Sequence, residues 1–445
     1  MIDIFLVVGY FIIVLFIGIY ASRKESKEGF LIGERKMGTL SLSSSISASL
    51  LGGGILVAYA AYVYQYGMSA MWLFLGLAVG LVMLLLYGKK IKHFADRKQL
   101  YTISDYFKEL YGKSTGLVTT LVIILVFIFM VVIEFIAGGK MLSSLFGTSY
   151  AFAVLIMAII ILVYLILGGF KSVVKTDAFQ YLIALLFGII ITFVLFGKTT
   201  LPLKEFSLGT MGWGNSIAFV IIGAFAVFAA ADMWQRIYAA KSVKVAKKSM
   251  GWAILLVLIF GFIIAIVGIA AKVNFSGLNP QDAMVYGLSN LLPTGILGLG
   301  LVLLFAAIMS SIDTGLFILG MGISKDITGS FKTITKEKLV RITRYSIFCF
   351  VVLTVLISLF FQNVVSIALV FASINLALIP ALIGSFHFNL KGKAVFWSIL
   401  IGLISVPIAL PFLGVTPESA VISLPVALIV LLVGQAIFKK NKTLI

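Results

Sequence analysis

The chain has 445 residues, 62% of them hydrophobic and 11% charged, with a mean hydropathy of +1.18. A soluble domain carries about 25% charged residues, so this composition leaves no room for a large aqueous domain and makes the lipid bilayer the partner of nearly the whole chain. The net charge of +18 would suit nucleic acid in size alone, but its distribution excludes that partner.

Hydropathy predicts thirteen spans, at 2–20, 40–62, 68–88, 116–139, 149–169, 176–197, 215–235, 251–273, 291–322, 341–361, 364–387, 394–413 and 418–438. With these spans the loops alternate between two sides, and thirty of the thirty-four Lys and Arg fall on one of them. The other side holds only Lys140, Lys198, Lys204 and Lys272. The basic-rich side is cytoplasmic, which places the N-terminus outside and the C-terminus inside. The charge is therefore topological. The first span follows Met1-Ile2-Asp3 and precedes its basic cluster, the reverse of a cleaved signal, and reads as a retained helix. The lone cysteine, Cys349, forms no intramolecular disulfide and reads as a small apolar residue of a span.

The second span carries Gly52-Gly53-Gly54 at its middle. Three glycines there weaken a helix and free backbone carbonyls, or else permit close helix packing. Residues 101–111 (YTISDYFKELY) form an amphipathic cytoplasmic stretch, and 199–214 and 273–290 are outer loops. Five spans beyond the second, the seventh carries Gly223 and a run of Ala and Phe, a weaker break signal. That spacing fits two inverted repeats, 39–197 and 215–388, with an extra span and loop at 1–38 and two added spans at 393–445, all in one domain.

The ninth span holds the densest intramembrane polar cluster, Ala306-Ala307-Ile308-Met309-Ser310-Ser311-Ile312-Asp313-Thr314. Ser310, Asp313 and Thr314 share one helix face at i, i+3 and i+4. Oxygen ligands with one negative charge suit a small hard cation, while hydroxyls also serve as glue between membrane helices. Glu134, within the fourth span, is a pathway group or an interfacial acid; Asp232 and Arg236 are spaced for an i,i+4 ion pair. Asp177 alone would be a solvated acid at a helix N-terminus. Asn375, mid-span eleven, contacts solute or a neighbouring helix. His93 and His387 lack metal-ligand spacing, and no motif for a nucleotide, metal centre or nucleophile supports an enzyme.

Four stretches in order resemble the sodium/solute symporter family: YTISDY at 101–106, GG at 168–169 followed by Thr176-Asp177 and Gln180, QR at 235–236 followed by Ala239-Ala240-Lys241-Ser242, and AAIMSSIDTGLFILGMGISKDI at 306–327. The resemblance implies an all-α, LeuT-type fold of five-plus-five inverted repeats and a carrier of the plasma (inner) membrane that imports a small organic solute with Na+. It implies a sodium site at the carbonyls of Ala48, Leu51 and Ala307 and the hydroxyls of Ser310 and Ser311. A second cation site or exit route would involve Asp177, Asp313 and Thr314, with Ser310 beside them. A solute pocket would be lined by Gly52, Gly53, Ile55, Met68, Ser69, Trp72, Phe225, Phe228 and Asn375. The family's sugar carriers place Asn and Gln where this chain has Leu50 and Ile55, and its proline carriers place Asp at Leu50, so neither solute is expected. The triple glycine resembles the choline branch, but Ala230 stands where an aromatic is expected and leaves the cation box incomplete. The rival readings are a proton-coupled carrier using Asp313 and Asp177, and a membrane sensor of the same fold, against which no signalling domain follows Lys439.

Overall fold

A computed structural model describes residues 2–23, 26–361 and 363–438. Lys24 and the basic C-terminal residues from Lys439 to Lys442, counted above toward the cytoplasmic side, lie outside them. The described chain is helical apart from one isolated β-bridge, as a bilayer requires of a chain that must satisfy its backbone internally. Ten helices are long and apolar enough to span a membrane, or eleven if one bent pair counts as a span. The larger number expected from hydropathy divides Gly53–Lys98 and Tyr150–Lys198 in two. Each carries a break: the 3₁₀ turn Gly67–Met71 in the first, and Gly169 (φ 52°, ψ −146°) in the second. Only glycine adopts that φ without strain, and its missing Cβ makes room for the Phe30 ring and carbonyl.

Both helices expected to be broken are broken. The first stops at Leu50, and a second helix starts at Gly53. Leu51 (φ −113°, ψ 35°) and Gly52 (φ −52°, ψ 143°) lie between them. A new helix leaves its first N–H groups without intrahelical partners; here Gly54 N–H donates to Glu134 Oε2 at 3.0 Å. The second break differs from expectation in place. Trp213–Phe228 and Ala231–Ala239 meet at Ala229–Ala230 with a bend of 43°, not at Gly223. Gly223 instead permits close packing, since a Cβ there would lie 2.5 Å from the Leu73 carbonyl oxygen.

The Ile296–Met321 helix runs through the centre, buried almost from end to end, and packs along Tyr150–Lys198 and Lys113–Phe146. The first helix, Ile2–Ser22, docks on it: Asp3 Oδ1 accepts from Gly295 N and Gly298 N at 2.9 and 2.6 Å. The 273–290 loop contains the start of a short helix, Ala283–Leu291. The 101–111 stretch forms the helix Ile103–Tyr111, capped by Thr102 accepting from Asp105 N. Where the two broken segments approach each other at their ends, Met37 and Ala240 form the bridge: Met37 N donates to Ala239 O, and Lys241 N to Met37 O, each at 3.1 Å.

Candidate ion and solute sites

The break at Leu51–Gly52 faces the middle of Ile296–Met321, and a small space lies between them. Ala48, Leu51, Ala307 and Ser310 line one cavity of about 10 Å³, with Gln180 and Tyr181 across from them. That is room for about one water-sized particle. Ser310 Oγ donates to Ala307 O at 2.9 Å and reaches Ala48 O at 3.3 Å, so the hydroxyl and two expected carbonyls are already gathered. Ser311, the fifth expected ligand, does not line this cavity. One residue further round the helix, its Oγ points at Gly52 and has no hydrogen-bond partner. Gln180 lines the same cavity. Its Nε2 donates to Tyr10 OH at 2.9 Å, which orients the amide and leaves Oε1 without a partner in a fully buried place. The sequence marked Gln180 only as part of a motif.

Toward the other end of the same helix, Asp177, Asp313 and Thr314 come together in one buried cluster, and the cation the structure places there is the guanidinium of Arg236. Its Nη2 bonds Asp177 Oδ2 and Thr314 Oγ1, both at 3.0 Å; Nη1 bonds Asp232 Oδ2 at 2.9 Å; Nε bonds Ser45 Oγ at 2.8 Å. Ser45 in turn donates to Asp177 Oδ2, and Ser49 to Asp232 Oδ2, each at 2.5 Å. Asp313 stands beside this group: its Oδ2 accepts from Tyr164 OH at 2.9 Å and Thr176 Oγ1 at 3.4 Å, and its Oδ1 from Thr314 N at 2.6 Å. Asp177 is therefore no solvated helix-end acid. The helix resumes directly after Gly169, so Asp177 lies two turns inside it and is fully buried. The i,i+4 pair of Asp232 and Arg236 is present, but helical spacing does not show that the same guanidinium reaches Asp177. Three buried carboxyl groups share the cluster with one buried guanidinium.

A larger cavity, about 130 Å³, opens on the other side of the first break. Ser49, Leu50 and Ile55 form one wall, and Asp232 and Asn375 supply most of its polarity. Aromatic side chains of Tyr59, Tyr62, Phe127, Phe219 and Phe371 line much of the rest. Of the nine residues expected at a solute pocket, Ile55 and Asn375 are here. Met68, Ser69 and Trp72 are not, because the 3₁₀ turn Gly67–Met71 carries them to the outer loop. Ser69 Oγ and Trp72 Nε1 each donate to Leu208 O at 2.9 Å. Phe225 and Phe228 lie off the face that Phe219, Ile222, Gly223 and Ala226 present to the cavity, and Phe228 packs against Tyr87 and Phe386. Gly52 and Gly53 face Glu134, Ser311 and Ile308. Tyr62, Phe127 and Phe219 could have been found from the helical phase of the second, fourth and seventh spans.

Comparison with known proteins agrees with this architecture. The profile of the Sodium:solute symporter family matches residues 30–402. The osmoregulated proline transporter OpuE of Bacillus subtilis (strain 168) is 27% identical over 375 residues, 79% of this chain and 76% of its own. Sodium/proline symporter 2 of Staphylococcus saprophyticus is 25% identical over 359 residues, 75% of this chain and 70% of its own. Among solved structures, a Na+-coupled sialic acid symporter in a substrate-bound outward-open state superposes with a TM-score of 0.87 at 18% identity, covering 100% of this chain and 99% of the other. Mhp1, a nucleobase-cation-symport-1 family transporter, superposes at 0.65 with 14% identity over 90% and 92% of the two chains.

Proposed function

The chain belongs to the sodium:solute symporter family and is a sodium-coupled symporter of a small solute, and from that premise we propose where it holds the ion and the solute. Sodium binds between the first break and the central helix, on the carbonyls of Ala48, Leu51 and Ala307 and the hydroxyls of Ser310 and Ser311. The observation that carries this reading is that Ala48, Leu51, Ala307 and Ser310 already line one ion-sized space. Carbonyl and hydroxyl oxygens can replace the hydration shell of a monovalent ion. In a sodium-loaded structure these oxygens lie about 2.3–2.6 Å from the ion. The ion pins the broken helix to the central one with the solute bound, and both leave to the cytoplasm after the bundle rocks. The charge split supports thirteen spans in the plasma membrane with the N-terminus outside.

The excess of carboxyl groups around Arg236 supports a second cation beside Asp313, with Asp177 and Thr314 nearby. The solute is a small amphipathic molecule in the larger cavity. Its apolar part packs among Tyr59, Tyr62, Phe127 and Phe219, and its polar head meets Asp232 and Asn375. The two relatives named above are proline carriers by description; Leu50 in the cavity wall supports a different solute here. Ser310→Ala with Ser311→Ala tests the first site: in proteoliposomes with an imposed sodium gradient, uptake of a solute found by sodium-dependent thermal shift should lose its dependence on sodium. Unchanged sodium dependence refutes the site.

A further inference from the structure

Glu134 is fully buried and lies far from both helix ends, midway along Lys113–Phe146. An interfacial acid reaching for water would not be placed there. One of its oxygens, Oε2, caps Gly54 N–H at the start of the second half-helix. The other, Oε1, has no hydrogen-bond partner. Ser311 Oγ, buried and also unpartnered, points at the same place: a Cβ added to Gly52 would collide with both atoms. Gly52 is thus the floor of a buried recess with a carboxyl oxygen on one side and a hydroxyl on the other. Leu51, the preceding residue, lines the small ion cavity. Met130, one helical turn before Glu134, lines the solute cavity. Glu134 therefore stands between the two.

A carboxylate suits the start of a helix, and both Gly54 and Gly53 turn their N–H toward this one; that accounts for the capping oxygen but leaves Oε1 without a partner, and an unpartnered buried charge is costly unless a counter-charge meets it. The carbonyls and hydroxyls of the proposed sodium site carry no formal charge; the Glu134 carboxyl supplies one when it ionises against a cation, and its free oxygen lies against Gly52, the residue after Leu51. We propose that Glu134 is the charged ligand of the sodium site, reaching the ion from beyond the Gly52 turn together with Ser311. Glu134 Oε1 and Ser311 Oγ then gain the partner they lack, and sodium ties Lys113–Phe146 to both halves of the broken helix as well as to the central helix. This inference rests on the sodium site proposed above and adds to it a third helix and a formal charge.

The test uses the purified full chain and sodium alone, so it needs no knowledge of the solute. Binding of 22Na+ and the sodium-dependent rise in melting midpoint, against potassium as control, are measured for the wild type, Glu134→Gln, Glu134→Asp and Ser310→Ala. Glu134→Gln keeps an acceptor for Gly54, so its sodium-free midpoint should stay at the wild-type value while the sodium concentration for half-saturation rises at least tenfold. Glu134→Asp keeps a carboxylate but draws it back by one methylene and should also weaken sodium severalfold, which keeps the proposal testable even if Glu134→Gln does not fold. Wild-type sodium affinity in Glu134→Gln, or in Glu134→Asp where that is the variant that folds, overturns the inference. If Ser310→Ala also binds sodium as the wild type does, the underlying site falls as well; if Ser310→Ala loses sodium, only the role of Glu134 falls.

Discussion

Replacing Arg236 by glutamine removes the cation from a cluster that holds Asp177, Asp232 and Asp313. The side chain is 1% exposed, and its pairs at 3.0 Å to Asp177 and 2.9 Å to Asp232 are as buried as it is. At an effective dielectric of about 20, unit charges at such a distance attract by about 5 kcal/mol per pair, and the desolvation of both ions offsets much of this. Removing one partner leaves the others uncompensated, so Arg236→Gln should destabilise the protein by about 3–5 kcal/mol. Asp177→Asn in the Arg236→Gln background should cost far less than in the wild type, giving a coupling of about 2 kcal/mol in a double-mutant cycle. Unfolding in mixed detergent micelles, followed by tryptophan fluorescence, measures all four corners. A loss below about 1 kcal/mol for Arg236→Gln, with coupling to Asp177 below about 0.5 kcal/mol, would refute the assignment of Arg236 as the charge that holds the cluster together.

The other expectations concern the breaks and the second cation. A Cβ at residue 53 would collide with the Ile308 side chain, so Gly53→Ala should abolish the sodium-dependent shift in melting midpoint, and Ile308→Ala should restore it in the double variant; a normal shift in Gly53→Ala alone contradicts the close approach. Gly169→Ala forces an L side chain into φ 52° against Phe30 and should cost at least about 1–2 kcal/mol, read by the same unfolding assay, with a neutral result arguing against the kink. Asp313→Asn should lower the Hill coefficient for sodium in transport while leaving Ser310-dependent sodium binding in place; an unchanged coefficient would leave Asp313 without a cation.

The sequence was most readable where chemistry and backbone needs coincide. Gly52 to Gly54 mark a break because glycine is a poor helix former, and Ser310 stands out because a hydroxyl in lipid needs a reason; the structure brings them to one place. Long-range partners were harder to read. Arg236 showed its neighbour four residues back, since helical spacing alone determines that contact, but Asp177 lies 59 residues away in sequence and only packing brings the two together. Glu134 was ambiguous for the same reason: nothing near it in sequence says that it meets Gly54. The resemblance pointed to pocket residues that the structure spreads beyond the larger cavity. A five-residue 3₁₀ turn at Gly67–Met71 carries Met68, Ser69 and Trp72 outward, and the seventh span turns Phe219 and Ile222 to the cavity where Phe225 and Phe228 were expected.

The short bridge at Met37 and Ala240 bears on how tightly the two broken helices are geared. Both of its bonds run between main-chain atoms, so exchanging either side chain leaves them in place. The linkage can thus persist through extensive sequence drift at its own positions, and a comparison of side chains would give no hint of it. Proline is the exception, because it lacks the N–H: at position 37 or 241 it would delete one bond and uncouple the ends of the two helices while every charged and hydroxyl group of the ion sites remained unchanged.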